Sequence, residues 1–392
     1  MQIIPVNSPQ TERDFLLLPL DIYKKNPKWI RPLDKDITSV FNFKKNTVAH
    51  KDNFSRWLLL DDTNKVIGRI AAFVNEKTKL KNNDYPVGGI GFFECINDQN
   101  AADRMFDTAR KWLEDKGVEA MEGPINFGDR DKFWGLLTHG FDEEPNYLAN
   151  YNPEYYVALF ENYGFKLYFN QFTFSRKIDV DFPEAYYNRG MVILNNPDYY
   201  FTGLKKANLD KYTEDFRVVY NKAWVKHEGV AEMKSKQAKA IIKQLKPILD
   251  ENTAFFGYYK EEPIAFFINI PEVNQIFKYV NGKLNWWGKL IFLKQKLLKK
   301  NHKLLGIGFG VTPEYDGKGV TQALAIFAGN KLTQKTNYKV IEMHGVGDFN
   351  PGMLKFVDKM GKSEKNKIHT TYRYVFDRER PYERMPLKSN SR

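Results

Sequence analysis

One order of elements occurs twice in this chain, and that repetition limits the fold more than any single motif does. In the first half a polar turn, 61–65, precedes a strand over Val66–Asn75 and a second over Gly88–Ile96. Asp98 caps a helix over Ala101–Lys116, closed by Gly117. A strand over Glu119–Glu122, a helix over Glu154–Tyr163 ending at Gly164, and an aromatic strand over Phe165–Arg176 follow. After the turn 260–263, the second half gives strands over Ile264–Ile270 and Leu304–Val311 and a helix over Val320–Leu332. It continues with a strand over Tyr338–His344, a helix over Pro351–Met360 ending at Gly361, and a strand over His369–Phe376. Strand, strand, helix, strand, helix, strand predicts an α/β fold, with helices against the faces of a sheet. Residues Phe182–Ile248 supply helices that lead into the second half. A boundary within Asp179–Asn195 gives domains at 1–180 and 181–376, then a charged tail, 377–392. Duplication of one fold explains the repeat; chance agreement between two α/β domains is the alternative.

A length of 392 residues, 42% of them hydrophobic, is enough for two packed cores. The single cysteine, Cys95, excludes a disulfide framework and favours a reducing, cytoplasmic setting. It lies in an apolar strand, which fits burial better than nucleophilic use. The N-terminus lacks a basic segment followed by an apolar one, so no signal peptide is expected. No apolar run has the length of a transmembrane helix. The six histidines show no metal-ligand spacing, so no metal is expected. A net charge of +12 favours an anionic partner: a CoA-type molecule, a membrane surface or nucleic acid. A merely soluble basic protein would carry the same charge.

The run Val311-Thr312-Pro313-Glu314-Tyr315-Asp316-Gly317-Lys318-Gly319-Val320-Thr321 joins an apolar strand to a helix through two glycines. Unpaired N–H groups at a helix start can hold a phosphate. Glycine lets the backbone come close to the anion.

This run resembles the acyl-CoA pyrophosphate loop of the GNAT acetyltransferase superfamily, and the element order resembles two tandem GNAT-like domains with mixed sheets flanked by helices. The resemblance makes Leu304–Val311 the fourth strand and Tyr338–His344 the fifth, splayed around a pantetheine arm. Val311, Asp316, Gly317, Lys318, Gly319, Val320, Thr321 and Asn350 then become the acyl-CoA contacts. Asp316 stands where the family usually has Arg or Gln, Thr321 where it has Gly or Ala, and Val357 where a tyrosine acid is frequent. The first half has no such loop. Its equivalent, Ile96-Asn97-Asp98-Gln99-Asn100, lacks glycine and reads as a degenerate copy that shapes an acceptor pocket. A closer resemblance, to a bacterial group of tandem GNAT-like proteins that includes bacterial ceramide synthases, rests on several patches. They are Gly68-Arg69-Ile70-Ala71-Ala72, Gly91-Phe92-Phe93-Glu94 and Gly123-Pro124-Ile125-Asn126. Trp134-Gly135-Leu136-Leu137, Gly140-Phe141-Asp142, Tyr151-Asn152-Pro153-Glu154-Tyr155-Tyr156 and Asn281-Gly282-Lys283-Leu284 complete the set.

Between Val273 and Pro313 there is no acidic residue, yet eight lysines lie within Lys278–Lys303. Trp286, Leu290, Leu293 and Leu297 recur at helical spacing, widened by Trp287, Ile291 and Leu298, with Phe292 out of phase. Lys289, Lys296, Lys299 and Lys300 fall opposite, and Lys294 near the edge. Such a helix suits an anionic membrane surface. The ordinary alternative packs its stripe on the core.

Transfer to an amine needs a base, an oxyanion donor and a leaving thiolate. The base candidates are Glu342 and His344, which alternate onto one face of their strand, and Asp348 in the loop beyond. For Glu342 and His344 a structural role is the competing explanation. The resemblance puts the oxyanion donor among the main-chain N–H groups of 309–311. Asn126, Asp129, Arg130, Trp134 and Tyr151 are expected to face an acceptor. The sequence therefore reads as an acyl-CoA-dependent N-acyltransferase acting on an amine acceptor of long-chain, sphingoid type. It is expected in the cytoplasm, peripherally on the inner membrane surface, with no nucleic-acid partner. Two rivals are a tandem GNAT-type transferase using aminoacyl-tRNA and a non-catalytic binder of lipid or acyl-CoA.

Overall fold

Both halves build the alternating elements that the caps and periodicities call for. The computed structural model describes residues 1–80, 83–224, 232–298 and 300–387. Lys299, the end of the tail (388–392) and part of the helical link (225–231) lie outside the described residues. The chain begins with β1 (Gln2–Pro5), α1 (Pro9–Ile22), α2 (Asp34–Val40), β2 (Phe54–Leu60), β3 (Val66–Phe73) and β4 (Val87–Cys95). Next come α3 (Gln99–Glu114), β5 (Ala120–Gly123), β6 (Leu136–His139), α4 (Tyr156–Tyr163) and β7 (Lys166–Lys177). The link supplies α5 (Glu184–Leu194), β8 (Tyr199–Gly203), α6 (Leu209–Trp224) and α7 (Ser235–Leu245). The second half has β9 (Ala254–Tyr259), β10 (Glu262–Pro271), α8 (Asn274–Phe277), α9 (Trp286–Leu297) and β11 (Lys303–Val311). It ends with α10 (Val320–Lys335), β12 (Val340–Gly347), α11 (Pro351–Met360) and β13 (Ser363–Val375). Asp98 caps α3 by accepting the Ala101 N–H at 3.0 Å, and Gly164 ends α4 in a left-handed conformation.

Among the described residues all thirteen strands join one sheet, in the order β1-β2-β3-β4-β5-β13-β7-β12-β11-β10-β9-β8, with β6 on β13. The two halves exchange their last strands. β7, which ends the first half, pairs with β12; β13, which ends the second, pairs with β5. The exchanged strands also pair with each other, from Ser363↔Arg176 to Arg373↔Lys166. Each half is therefore completed by the other's sequence.

Among the described residues parallel neighbours occur once in each half, and the two pairs differ in a way that bears on where a ligand can enter. β11 and β12 pair from Lys303↔Val340 to Gly306↔Met343 and then part. β4 and β5 pair from Val87↔Ala120 to Gly89↔Glu122. There the chain after β5 fills the gap: the Ile125 N–H donates to the Ile90 carbonyl at 2.8 Å. A Cβ on Gly91 would lie 2.0 Å from the Ile125 oxygen, so only glycine lets the two segments meet. The cleft of the first half is closed and that of the second is open.

The amphipathic segment meets the body through Ile291, at the edge of its stripe, and Phe292, out of phase with it. α9 turns Gly288, Ile291 and Phe292 inward; the Phe292 ring packs 5.6 Å from that of Phe277. Its stripe of Trp286, Trp287, Leu290, Leu293 and Leu297 faces outward, with the tryptophans 64% and 66% exposed. No described helix is long and apolar enough to cross a membrane.

Candidate active site

The loop after β11 is set by two glycines with different duties. Gly317 and Gly319 have φ of +71° and +98°, a region that costs other residues strain. Nothing lies within 4 Å of a Cβ on Gly317, so its conformation alone demands glycine. A Cβ on Gly319 would sit 3.0 Å from the Arg189 carbonyl of α5, so close packing demands it as well. α10 starts directly beyond, and its first-turn N–H groups have no partner within the helix. Val320, the first residue of the helix, is fully buried, and Thr321 after it is partly buried. Asp316, exposed at the surface, closes on its own turn: its Oδ1 accepts the Gly317 N–H at 2.9 Å. Arg189 donates to the Gly317 carbonyl, bringing to the loop the guanidinium that the loop's own sequence lacks. No local signal points to Arg189, which lies 128 residues from its partner. Lys318 rests its ammonium 5.5 Å from the Tyr315 ring. Asn350 is already engaged as the cap of α11, accepting the Met353 N–H at 3.2 Å.

Below this loop the parted strands open onto a cavity of about 1060 Å³, mouth included. Ile307, Gly308 and Phe309 of β11, Met343, His344 and Val346 of β12, and Met353 and Phe356 of α11 line its upper part. The register between β10 and β11 slips after Ile268↔Gly308, so Ile307 bulges out of the ladder at the cleft. Val357 turns into the core beside Met343 and Val346.

The base candidates separate clearly. Glu342 is 1% exposed and enclosed by cations: Lys303 Nζ at 2.6 Å and Lys367 Nζ at 3.1 Å. Asn146 and Asn366 donate to it as well. Burial raises its pKa, but the two lysines outweigh burial and hold it at about 2. Two lysines and two asparagines take up both carboxylate oxygens, and Glu342 does not reach the cavity, so its geometry is that of a buried ion-pair centre. Asp348 is tied to Arg384 at 2.6 Å. His344 is different. It sits where the register of β12 against β7 slips, and it reaches the cavity. Its Nδ1 lies 2.9 Å from the Thr173 hydroxyl. Burial, then His369 and Lys367, push its pKa down to about 3, so the ring is neutral near pH 7.

Five acceptor candidates take different places. Asn126 closes its own turn, accepting from the Phe127 N–H at 2.8 Å and donating to the Asp129 carbonyl. Asp129 pairs with Lys132 at 2.6 Å. Arg130 lies over the rings of Trp134, Phe169 and Phe349, and the Trp134 indole donates to Thr371 at 3.0 Å. Asn126 and Asp129 are thus both engaged within their own loop. Tyr151 does line a first-half cavity, beside Arg69, Phe93, Glu94, Asn152 and Tyr156. Glu94 there accepts from Tyr23, Tyr156 and Arg69 at 2.8, 2.9 and 3.3 Å. The patches at 68–72, 91–94 and 151–156, far apart in sequence, thus meet at one chamber. Among the described residues no group of three or more His, Cys, Asp or Glu is placed to hold a metal ion.

No family profile matches the chain. It is 24% identical over 382 residues to a bacterial ceramide synthase from Caulobacter vibrioides, covering 95% of this chain and 96% of that one. Among solved structures, it matches a tandem GNAT protein from the clavulanic acid biosynthesis pathway. The TM-score is 0.52 and the identity 10%, over 97% of this chain and 99% of that one. A GCN5-related glucosamine N-acetyltransferase region of a fungal multi-domain β-N-acetylglucosaminidase gives a TM-score of 0.54 at 11% identity. That match covers 95% of this chain, which spans only 38% of the longer fungal one. The fold is that of tandem GNAT proteins.

Proposed function

We propose that this chain, a tandem GNAT-like protein, is an N-acyltransferase that moves an acyl group from acyl-CoA to a long-chain amine of sphingoid type. The observation that carries this reading is the parting of β11 and β12 beneath the start of α10, with the equivalent gap of the first half filled. Main-chain N–H groups at the start of α10, with Lys318 and Arg189, receive the pyrophosphate. The pantetheine arm enters the cleft. A main-chain N–H near the Ile307 bulge faces the thioester carbonyl as its oxygen gains charge. The amine nitrogen attacks that carbon, a C–N bond forms, the C–S bond breaks, and the thiolate leaves. His344, neutral and with Nδ1 held by Thr173, takes on Nε2 the proton that nitrogen sheds.

Two observations favour a lipid acceptor. One is the similarity to a ceramide synthase, over nearly the whole of both chains. The other is α9, whose exposed tryptophans and leucines lie in an acid-free, lysine-rich segment running directly into β11. In this reading α9 rests on an anionic membrane surface and the acceptor comes from it. The test is incubation of purified protein with hexadecanoyl-CoA and sphinganine, following thiol release and the amide by mass spectrometry. Amide formation supports the reading; no thiol release with any amine removes it.

A further inference from the structure

The cavity does not stop where the strands rejoin. Gly306↔Met343 is the last rung between β11 and β12. A pantetheine arm needs only the parted region beyond that rung. Yet Ile341 on the paired side of it also lines the cavity, as do Arg176 and Lys177, the β7 partners of Ile341 and Val340. The cavity thus continues between the paired strands and the helices above them. Apart from Arg176 and Lys177, its walls there are apolar, formed by Ile178, Ile341 and Met360 with Ala325 and Gly329 of α10. The last two are the small residues that hold this end open. A Cβ on Gly329 would touch the Phe182 ring at 3.7 Å, so this glycine and that ring close the end of the cavity together and a larger side chain here would fill it. Phe182 stands at the far end, stacked on Tyr186 at 5.1 Å and covered by the Arg176 guanidinium at 4.2 Å. From Val346 to Ile341 the lining extends along β12 for roughly 17 Å at strand rise. An acetyl group has no use for that space.

We infer that the deep end of this cavity, bounded by Ala325, Gly329, Met360 and Phe182, is a chain-length chamber for the acyl tail of a long-chain acyl thioester. The inference rests on the acyl-CoA reading above and adds the substrate class. Gly329 and Ala325 set the room available, and Phe182 sets where the chain ends.

The test compares hexadecanoyl-CoA with hexanoyl-CoA, by calorimetric binding and by thiol release with an amine. Wild type should bind the longer thioester at least tenfold more tightly, because each buried methylene adds favourable transfer free energy. Gly329→Leu, which favours the helix, should lower the ratio of the two affinities roughly tenfold. Phe182→Ala should shift preference toward chains longer than sixteen carbons, a gain that misfolding cannot mimic. Equal affinity of wild type for both thioesters, or equal losses for both in Gly329→Leu, overturns the chamber. Chain-length selectivity abolished by Gly329→Leu, without acyl transfer to any amine, would leave the chamber standing and remove the transferase reading.

Discussion

Thr173 of β7 holds Nδ1 of His344 of β12 at 2.9 Å, so a strand of the first half orients the base candidate of the second. His369 on β13 packs edge-on against His344, ring centres 5.5 Å apart, and donates from Nε2 to the Asn150 carbonyl. His344→Ala should lower kcat by on the order of a hundredfold or more, and Thr173→Val by less, with KM changed little. With the ring neutral down to about pH 3, the rate should show no limb near 6.5 from His344. A limb there that disappears in His344→Ala would contradict the neutral ring.

The same rings make the fold sensitive to acid. Unfolded chains protonate these imidazoles near 6.5, whereas burial delays protonation to about 4 for His369 and about 3 for His344. The unfolded state therefore binds more protons in that window. Stability is complete above about pH 6.5 and falls as pH drops toward 4, by about 3 kcal/mol for His369. Urea midpoints between pH 7.5 and 4.5 check this, and a flat profile would refute it.

Glu342, Lys303 and Lys367 form one buried ion cluster. Removing one charge leaves the others unpaired in a low-dielectric site. Glu342→Gln should destabilise by about 3 to 5 kcal/mol, and Glu342→Leu combined with Lys367→Met by clearly less. Thermal melting of both variants gives the comparison. A stable Glu342→Gln protein without activity would restore Glu342 as a catalyst.

At the loop, Gly319→Val adds bulk at a φ of +98° and against Arg189. Affinity for CoA should fall at least about tenfold, since the first-turn N–H groups move. Arg189→Ala should weaken CoA binding less and reduce its salt dependence. Calorimetry at two ionic strengths separates these effects.

The element order was legible because its signals are local. Asp98 and Asn350 cap helices through their own third residues, and Gly164 and Gly319 adopt the left-handed conformation where the chain turns. Choices between distant partners left no local trace. Nothing in β7 or β13 says that each will complete the other half. Glu342 could not be told from a base until Lys303, and Lys367 from β13, were seen beside it. Period 3.6 gave the stripe of α9 but not its direction, and Phe292, out of phase with that stripe, turned out to face the body.

The strand exchange predicts that neither half folds alone. Residues 1–180 lack β13, which lies between β5 and β7 and supplies the buried Tyr372, Tyr374 and Val375. Without it β5 presents an unpaired edge and an open core. The fragment 1–180 should be insoluble or bind a hydrophobic dye, and co-expression with 181–392 should restore a soluble complex. A well-folded fragment on its own would show that the exchange is dispensable.

A membrane surface for α9 gives the last prediction. Trp286 and Trp287 cost free energy in water and gain it at a lipid interface, while each nearby lysine contributes on the order of 1 kcal/mol toward anionic headgroups. Several lysines lie around the stripe, so binding should be measurable yet reversible, and it should weaken steeply with salt. Vesicles with a third phosphatidylglycerol should pull the protein down in flotation, and neutral vesicles should not. Trp286→Ala with Trp287→Ala should abolish recovery by removing the apolar anchor. Replacing Lys289 and Lys296 with glutamine should halve recovery or more while leaving the helix intact, since glutamine is nearly as good a helix former. Equal recovery on neutral and anionic vesicles would show that charge plays no part. No recovery on either would assign the exposed stripe to another partner.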